Sequence, residues 1–368
     1  MRNFVLKELV CNDICAELKN IGFDENYRIF ASDKYRYKTI KIFSLSLPQA
    51  NILKQIALEY GADCAVHRET ITGKIETTDA IIGGSYSQLK KISKKLEQQP
   101  FSLNKLGQNI CEFLNDVNIK TKLVGILNIT PDSFSDGGQY FKIEDAQKHL
   151  IELVEDGADI IDIGSESTKP NFEPVESKEQ IERLKPILNF INKEKICVPI
   201  SIDTRSSEVA EFVLDNGASI INDVSGFEHD KQMANIIAKY NSSIVIQHSQ
   251  KISENDNLTD KIFFKLKEKI EYALEKGIKN IILDPGIGFG KIGKQNIEII
   301  ERFEELKSLG YPIMIGISRK SFMGLENADN YLKDSMTLAM SYPLVKQGVD
   351  YLRVHNVKIH KQLLDLLI

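Results

Sequence analysis

VPISIDTRSSEVAEFVLDNGASIINDVSG, residues 198–226, decides the fold. VPISID (198–203) is short and rich in β-branched residues, 206–216 has the pattern of an amphipathic helix, and SIIND (219–223) returns to strand composition. Strand, helix and strand in that order form one unit of a parallel sheet. The same alternation continues on both sides. Upstream lie LVGILNI (123–129) and DIIDIG (159–164), and downstream SIVIQH (243–248), NIILD (280–284), PIMIG (312–316) and DYLRVH (350–355). Helical patterns fill the gaps at roughly 142–156, 177–193, 206–216, 230–240, 259–276, 294–309 and 332–347, with a last one after 356. Eight evenly spaced strand–helix units in residues 121–368 match the usual size of a (β/α)8 barrel and favour it over an open, doubly wound sheet.

Residues 1–118 read differently. Apolar runs at 38–47 and 79–83 alternate with helical patterns at 48–60 and 86–98, and ADCAVH (62–67) reads as a third strand. The fold class is therefore α/β, a (β/α)8 barrel over 119–368 preceded by a small α/β domain, with a polar connector around 113–121. Lys90, Lys91, Lys94 and Lys95 form a basic helix face that reads as solvated surface. A net charge of −5 gives no reason to expect nucleic acid or an anionic membrane as partner. MRNFVLKELVCNDICAELKN lacks the apolar run of a signal peptide, and no stretch approaches a membrane span, so the cytoplasm is the expected compartment. Five cysteines (11, 15, 64, 111 and 197) fit a reducing compartment; Cys11 and Cys15, spaced C-x3-C, lack the second ligand pair that a zinc site needs.

Barrel enzymes build their sites where strands end, and all eight strand ends here are polar. In chain order they offer Asn128; Ser165, Glu166, Ser167 and Thr168; Asp203; Asn222 and Asp223; Gln247 and His248; Asp284; Ser318, Arg319, Lys320 and Ser321; then Arg353, His355 and Asn356. Any one of these could be a cap or turn residue; eight converging on one mouth point to a site. Asp203 and Asp284 can hold a ring with amidine-like N–H donors, while Lys320, Arg353 and His355 read as cations for an anionic leaving group. After the first strand, ITPDSFSDGGQYF is long and polar, as expected of a lid. DPGIGFGK (284–291) departs from G-x-G-x-x-G and reads as a close backbone approach to a flat ligand beside Phe289. Ser321 is expected at a helix start, where free N–H groups can receive a carboxylate or phosphate.

At this point the chain resembles the dihydropteroate synthase family. GILNITPDSFSDGG (125–138), ESTKP (166–170), SIDT (201–204), INDVSG (221–226), DPGIGFGK (284–291), GISRKS (316–321) and RVH (353–355) occur in family order. The resemblance implies substrates, a pterin pyrophosphate and para-aminobenzoate, together with Mg²⁺ held with the pyrophosphate by Asn128. It implies Asp203, Asn222, Asp284 and Lys320 in the pterin pocket and Arg353 and His355 at the pyrophosphate. Phe134, Thr168, Phe289 and Ser321 are implied around para-aminobenzoate, and Asp136 in a closing lid. A homodimer through late barrel helices is implied as well.

The chain also departs from the family pattern. Lys169 stands for the usual arginine of the second loop, keeping the charge and losing the bidentate fork, and Asn171 stands for a glycine. Gln247 and Ser249 flank the histidine where methionines are common, making that wall more polar, and Asn356 replaces an aspartate. Two rivals share part of the pattern: a pterin-dependent methyltransferase barrel and a silent pterin-binding protein. The FSDGG and SRKS segments argue against the first, and the two lids with Asn128 argue against the second.

Overall fold

The computed structural model describes residues 6, 7, 9, 14–115, 120–129, 139–166 and 175–367. It comprises two compact units, Met1–Val117 and Asn118–Ile368. Among the described residues no helix is long and apolar enough to cross a membrane.

In the first unit, α1 (Ile14–Asn20) and α2 (Arg28–Ser32) lead into β1 (Tyr37–Ser46), α3 (Leu47–Glu59), β2 (Asp63–Val66), β3 (Thr77–Ser85), α4 (Tyr86–Leu96) and α5 (Leu103–Phe113). The sheet is antiparallel in the order β1-β3-β2. Leu53, Ile56, Leu89, Ile92 and Leu96 form its core with Ile40 and Ile82. Both helices start with S-x-x-Q: the backbone N–H of Ser46 donates to Gln49 Oε1, and that of Ser85 to Gln88 Oε1, each at 2.8 Å. The spare amides reach across. Gln49 Nε2 donates to the Phe101 carbonyl beyond α4 (2.7 Å), and Gln88 Nε2 to the Gly61 carbonyl beyond α3 (2.6 Å). Helix α5 is an addition to the sequence reading. It lies against α4 at Gly107, where a Cβ would come within 2.6 Å of the Ser93 carbonyl.

The second unit alternates strand and helix throughout. β4 (Lys122–Asn128), α6 (Gln139–Glu155), β5 (Ile160–Gly164), α7 (Ser177–Lys193), β6 (Ile200–Asp203), α8 (Ser207–Asp215), β7 (Ile220–Asp223) and α9 (Met233–Tyr240) form its first half. β8 (Ser243–Gln247), α10 (Leu258–Glu275), β9 (Ile281–Asp284), α11 (Gly293–Arg302), β10 (Met314–Ile315), α12 (Asn330–Lys346), β11 (Tyr351–Val354) and α13 (Val357–Leu367) form the second. The strands are parallel in the order β10-β11-β4-β5-β6-β7-β8-β9. The bridge between Leu283 and Ile313, with Leu283 N–H donating to the Pro312 carbonyl at 2.8 Å, closes the barrel between β9 and β10. The expected helix at 294–309 stops at Arg302 and tightens into a 3-10 segment, Phe303–Leu309, ended by Gly310 at φ 79°.

Strand side chains alternate faces, and here the alternation sorts them by chemistry. Ile161, Ile163, Ile202, Ile221, Ile244, Ile246, Leu283 and Leu352 pack outward under the helices. Val124, Ile160, Ile220, Val245, Ile282 and Met314 fill the barrel interior, with Tyr351 against them. Two residues further along the same inner face, the chain turns polar: Asp162, Asn222, Gln247, Asp284 and Arg353. On β6 the inner positions are Ser201 and Asp203.

Candidate active site

The polar layer is a connected network. Arg353 Nε donates to Asp162 Oδ2 at 2.6 Å and Arg353 Nη2 to Asp203 Oδ2 at 3.2 Å. Ser201 Oγ donates to Asp162 Oδ1 (2.5 Å), and Asn222 Nδ2 to Asp162 Oδ2 (3.2 Å). Asp162 has no exposed surface. Sequence reasoning that looked only at strand ends missed it, although an acid at an inward position inside DIIDIG was the available signal. Burial raises the pKa of Asp203; Arg353 and Lys320 oppose that, and Asp162 and Glu166 add to it. Asp284 is likewise raised by burial, against the pull of Lys320 and of the Gly286 N–H at 2.7 Å. One atom of the network has no partner among the described residues: Asn222 Oδ1 is buried and none of them donates to it.

Lys320 joins the ring from the loop after β10. Its ammonium donates to the Ile287 carbonyl at 2.6 Å and stands 4.2 Å from the centre of the Phe289 ring. Burial and the charge of Arg353 bring its pKa down to about 8, while Asp284 and Asp203 hold it up. The neighbouring residues brace the loop. Arg319, at φ 57°, places a fork on Asp334 at 2.7 and 2.9 Å. Asn356 Nδ2 donates to the same carboxylate at 3.1 Å, so an amide at this position avoids a like charge beside Asp334. Ser321 is exposed and opens the single 3-10 turn Ser321–Met323.

His355 differs from its sequence reading. Its Nδ1 meets Ser318 Oγ at 2.9 Å, and burial, followed by Arg319 and Arg353, pushes its pKa down to about 3. It is a neutral imidazole at pH 7, where the sequence suggested a cation. The glycines of DPGIGFGK are also required by the protein's own packing. A Cβ on Gly286 would meet the His248 carbonyl oxygen at 1.8 Å, one on Gly288 the Lys320 Cδ at 2.7 Å, and one on Gly290 the Ser249 carbonyl oxygen at 2.8 Å. All three have positive φ (73°, 81° and 63°). They let the loop lie on the protein's own chain and let Lys320 pass over it.

Several polar strand ends turn out to be scaffolding. Asp223 accepts from the N–H groups of Ser225 (2.9 Å) and Phe227 (2.7 Å). Lys291 donates to His248 Nδ1 (3.0 Å) and to the carbonyls of His248 and Phe289 (both 2.9 Å), tying the glycine loop to the end of β8. Burial brings that lysine down to about 7. Glu166 accepts from Arg205 Nη2 (2.8 Å) and from the Val175 N–H (3.1 Å).

Asn128 ends β4 with its Oδ1 3.1 Å from where a Cβ on Gly164 would stand, and Asp203 Cβ lies 3.9 Å from the same point. Glycine at 164 thus lets the amide oxygen stand beside Asp203. Among the described residues no group of three or more His, Cys, Asp or Glu side chains is arranged to hold a metal ion. Phe134, Asp136, Thr168, Lys169 and Asn171 lie outside the described residues. Cys15, Cys64, Cys111 and Cys197 are free thiols, and burial pushes that of Cys64 up to about 11.

A closed parallel barrel with acceptors and cations converging inside the carboxyl ends of its strands defines an enzyme for a small polar ligand. The pterin binding enzyme family model matches residues 124–355, and the chain belongs to that family. Dihydropteroate synthase of Clostridium beijerinckii is 46% identical over 246 residues, 66% of this chain and 91% of that one. A crystal structure of dihydropteroate synthase from Clostridium difficile, determined in the presence of pteroic acid, superimposes with a TM-score of 0.64 at 40% identity, covering 69% of this chain and 98% of the other. A probable bifunctional folylpolyglutamate synthase/dihydropteroate synthase of Halobacterium salinarum is 34% identical over 332 residues, covering 84% of this chain and 40% of its own. That likeness extends past the barrel into the first unit.

Proposed function

We propose that the barrel condenses 6-hydroxymethyl-7,8-dihydropterin pyrophosphate with para-aminobenzoate, giving 7,8-dihydropteroate and pyrophosphate. The observation that carries this reading is the unpartnered Asn222 Oδ1, buried among carboxylates. A buried acceptor without a donor is costly in an apo protein. The N–H-rich edge of a pterin supplies donors for it and for Asp284, and Lys320 offers an N–H to the ring's carbonyl side.

The aryl amine is neutral at pH 7 and needs no strong base, so the barrier lies in breaking the bond from the pterin methylene to pyrophosphate. In an SN1-like path that bond's electron pair leaves on oxygen. The amine nitrogen then forms the C–N bond and loses its proton. Asp203 beside the ring stabilises the developing cation. Lys320, mostly protonated at pH 7 with a pKa about 8, and the guanidinium of Arg353 favour the departing anion. Mg²⁺ suits the donor set, because it prefers hard oxygens and keeps substrate phosphates and water as partners. Asn128 Oδ1 would supply the protein oxygen, and the ion would neutralise charge on pyrophosphate. Phe289 and Ser321 would receive para-aminobenzoate, and the family resemblance assigns Thr168, Phe134, Lys169 and Asp136, which lie outside the described residues, to the same substrate and to the closing loops.

The test is dihydropteroate formation and pyrophosphate release by the full chain with both substrates and Mg²⁺. Turnover that needs both and falls by at least a hundredfold in Asp203→Ala supports the reading; pterin binding without turnover refutes it. We also propose a homodimer through the late helices, supported by exposed Tyr331, Leu332, Met336 and Tyr342 on α12. Sedimentation of a monomer at micromolar concentration would refute that.

A further inference from the structure

Between Asn222 on β7 and Asp284 on β9, the inward residue of β8 is Gln247, in register with Asp284. It is 2% exposed. Its inward direction follows from the alternation of β8, where Val245 lies in the barrel interior and Ile244 and Ile246 pack outward. Its amide is not free to turn. Gln247 Nε2 donates to Ser249 Oγ at 3.0 Å, and the Ser249 hydroxyl in turn donates to the Val224 carbonyl. With the hydroxyl's proton committed, Ser249 can only accept from the glutamine. The Gln247 carbonyl oxygen is therefore the end of the side chain left for another partner, and no described residue donates to it. On the strand before, the amide of Asn222 is held in the same way: Nδ2 donates to Asp162, and no described residue donates to Oδ1. Two neighbouring strands thus present fixed amide oxygens on the inner face, that of Gln247 in register with Asp284. An apolar residue at 247 would leave one.

We propose that Gln247 is a specificity-determining residue for the pterin, its Oε1 accepting a hydrogen bond from the N–H-bearing edge of the ring that Asn222 and Asp284 flank. An exocyclic amine has two N–H groups, and a single carboxylate oxygen satisfies one of them. A second acceptor fixed alongside takes the other and penalises any ring with an oxygen in that place, because two acceptors would then face each other without a proton between them. This rests on the reading of the barrel as a pterin site.

The experiment is calorimetric binding to the full chain without para-aminobenzoate. The probes are 6-hydroxymethyl-7,8-dihydropterin pyrophosphate and its analogue carrying a 2-oxo group in place of the 2-amino group. Gln247→Met keeps length and volume and removes the acceptor. It should weaken the pterin by about fivefold to tenfold, reduce the preference over the 2-oxo analogue by a similar factor and leave the KM for para-aminobenzoate unchanged. Ser249→Ala, on a half-buried loop, leaves the fold intact but unpins the amide, and it should reduce the same preference by about twofold to threefold. Wild-type preference in both variants would overturn the proposal alone. Failure of the unaltered chain to bind the pterin would overturn the reading of the site and this inference with it.

Discussion

Substituting Asp162 separates charge from hydrogen bonding at the centre of the barrel. In Asp162→Asn the amide oxygen can occupy the Oδ2 position, accepting from Arg353 Nε and Asn222 Nδ2. The nitrogen can occupy Oδ1 and donate to Ser201 Oγ, so every bond survives and only the charge is lost. Arg353 then keeps one carboxylate, Asp203 at 3.2 Å. The difference between a charge-assisted and a neutral bond puts the loss at about 2 kcal/mol. In Asp162→Leu the guanidinium loses its shorter partner outright and Asn222 loses its acceptor, for about 3–5 kcal/mol. For a unit of this size each kcal/mol moves the melting temperature by about 2–4 °C, so Asn should lower it by roughly 6 °C and Leu by roughly twice that. Calorimetric scans of the full chain at pH 7 would read both transitions. An unshifted Asp162→Asn would refute the role of the charge, equal shifts in the two variants would refute a separate contribution from the hydrogen bonds, and no shift in either would refute the network as a source of stability.

Other consequences follow from the site. The depressed pKa of His355, about 3 against an ordinary 6.5, means that its contribution to stability is present above pH 6.5 and is lost as pH falls towards 3; urea midpoints of His355→Gln should therefore fall less between pH 7 and pH 5 than those of the unaltered chain. Gly286→Ala, with its Cβ placed on the His248 carbonyl at positive φ, should cost about 3 kcal/mol or more. Gly293→Ala, where a Cβ meets nothing within 4 Å, should be neutral or slightly stabilising, as read by thermal melts. Chelation should abolish turnover and leave the melting temperature of the substrate-free protein within about 1 °C, because the proposed magnesium depends on substrate oxygens more than on a protein cage.

The barrel was legible because each unit announces itself locally: VPISID and SIIND differ in period from the helix between them, and the eighth unit repeats the rule of the first. Much of the site was legible for a related reason, since a polar residue after an apolar strand has a defined place once the barrel is assumed. What stayed hidden depends on tertiary packing. Asp162 was overlooked because it sits mid-strand, where the inner polar layer begins before the strand ends. The charge of His355 is set by burial and by Arg319, which arrives from another loop. The glycines of DPGIGFGK signalled a close approach but not their neighbours in the chain, the His248 carbonyl just past β8, Lys320 and the Ser249 carbonyl. The sequence reading assigned nothing to LNKLGQNICEF, where Gly107 is the point at which α5 touches α4.

The paired S-x-x-Q caps of the first unit bear on how that unit comes apart. The start of α3 is held by the chain beyond α4, and the start of α4 by the chain beyond α3. Each helix is the other's latch, so fraying one end releases the opposite end of its neighbour. A unit wired in this way has no half that can stand alone. A cut in the loop between β2 and β3 should give fragments that are unstructured apart and that fold when mixed, exchanging their amide hydrogens as one body.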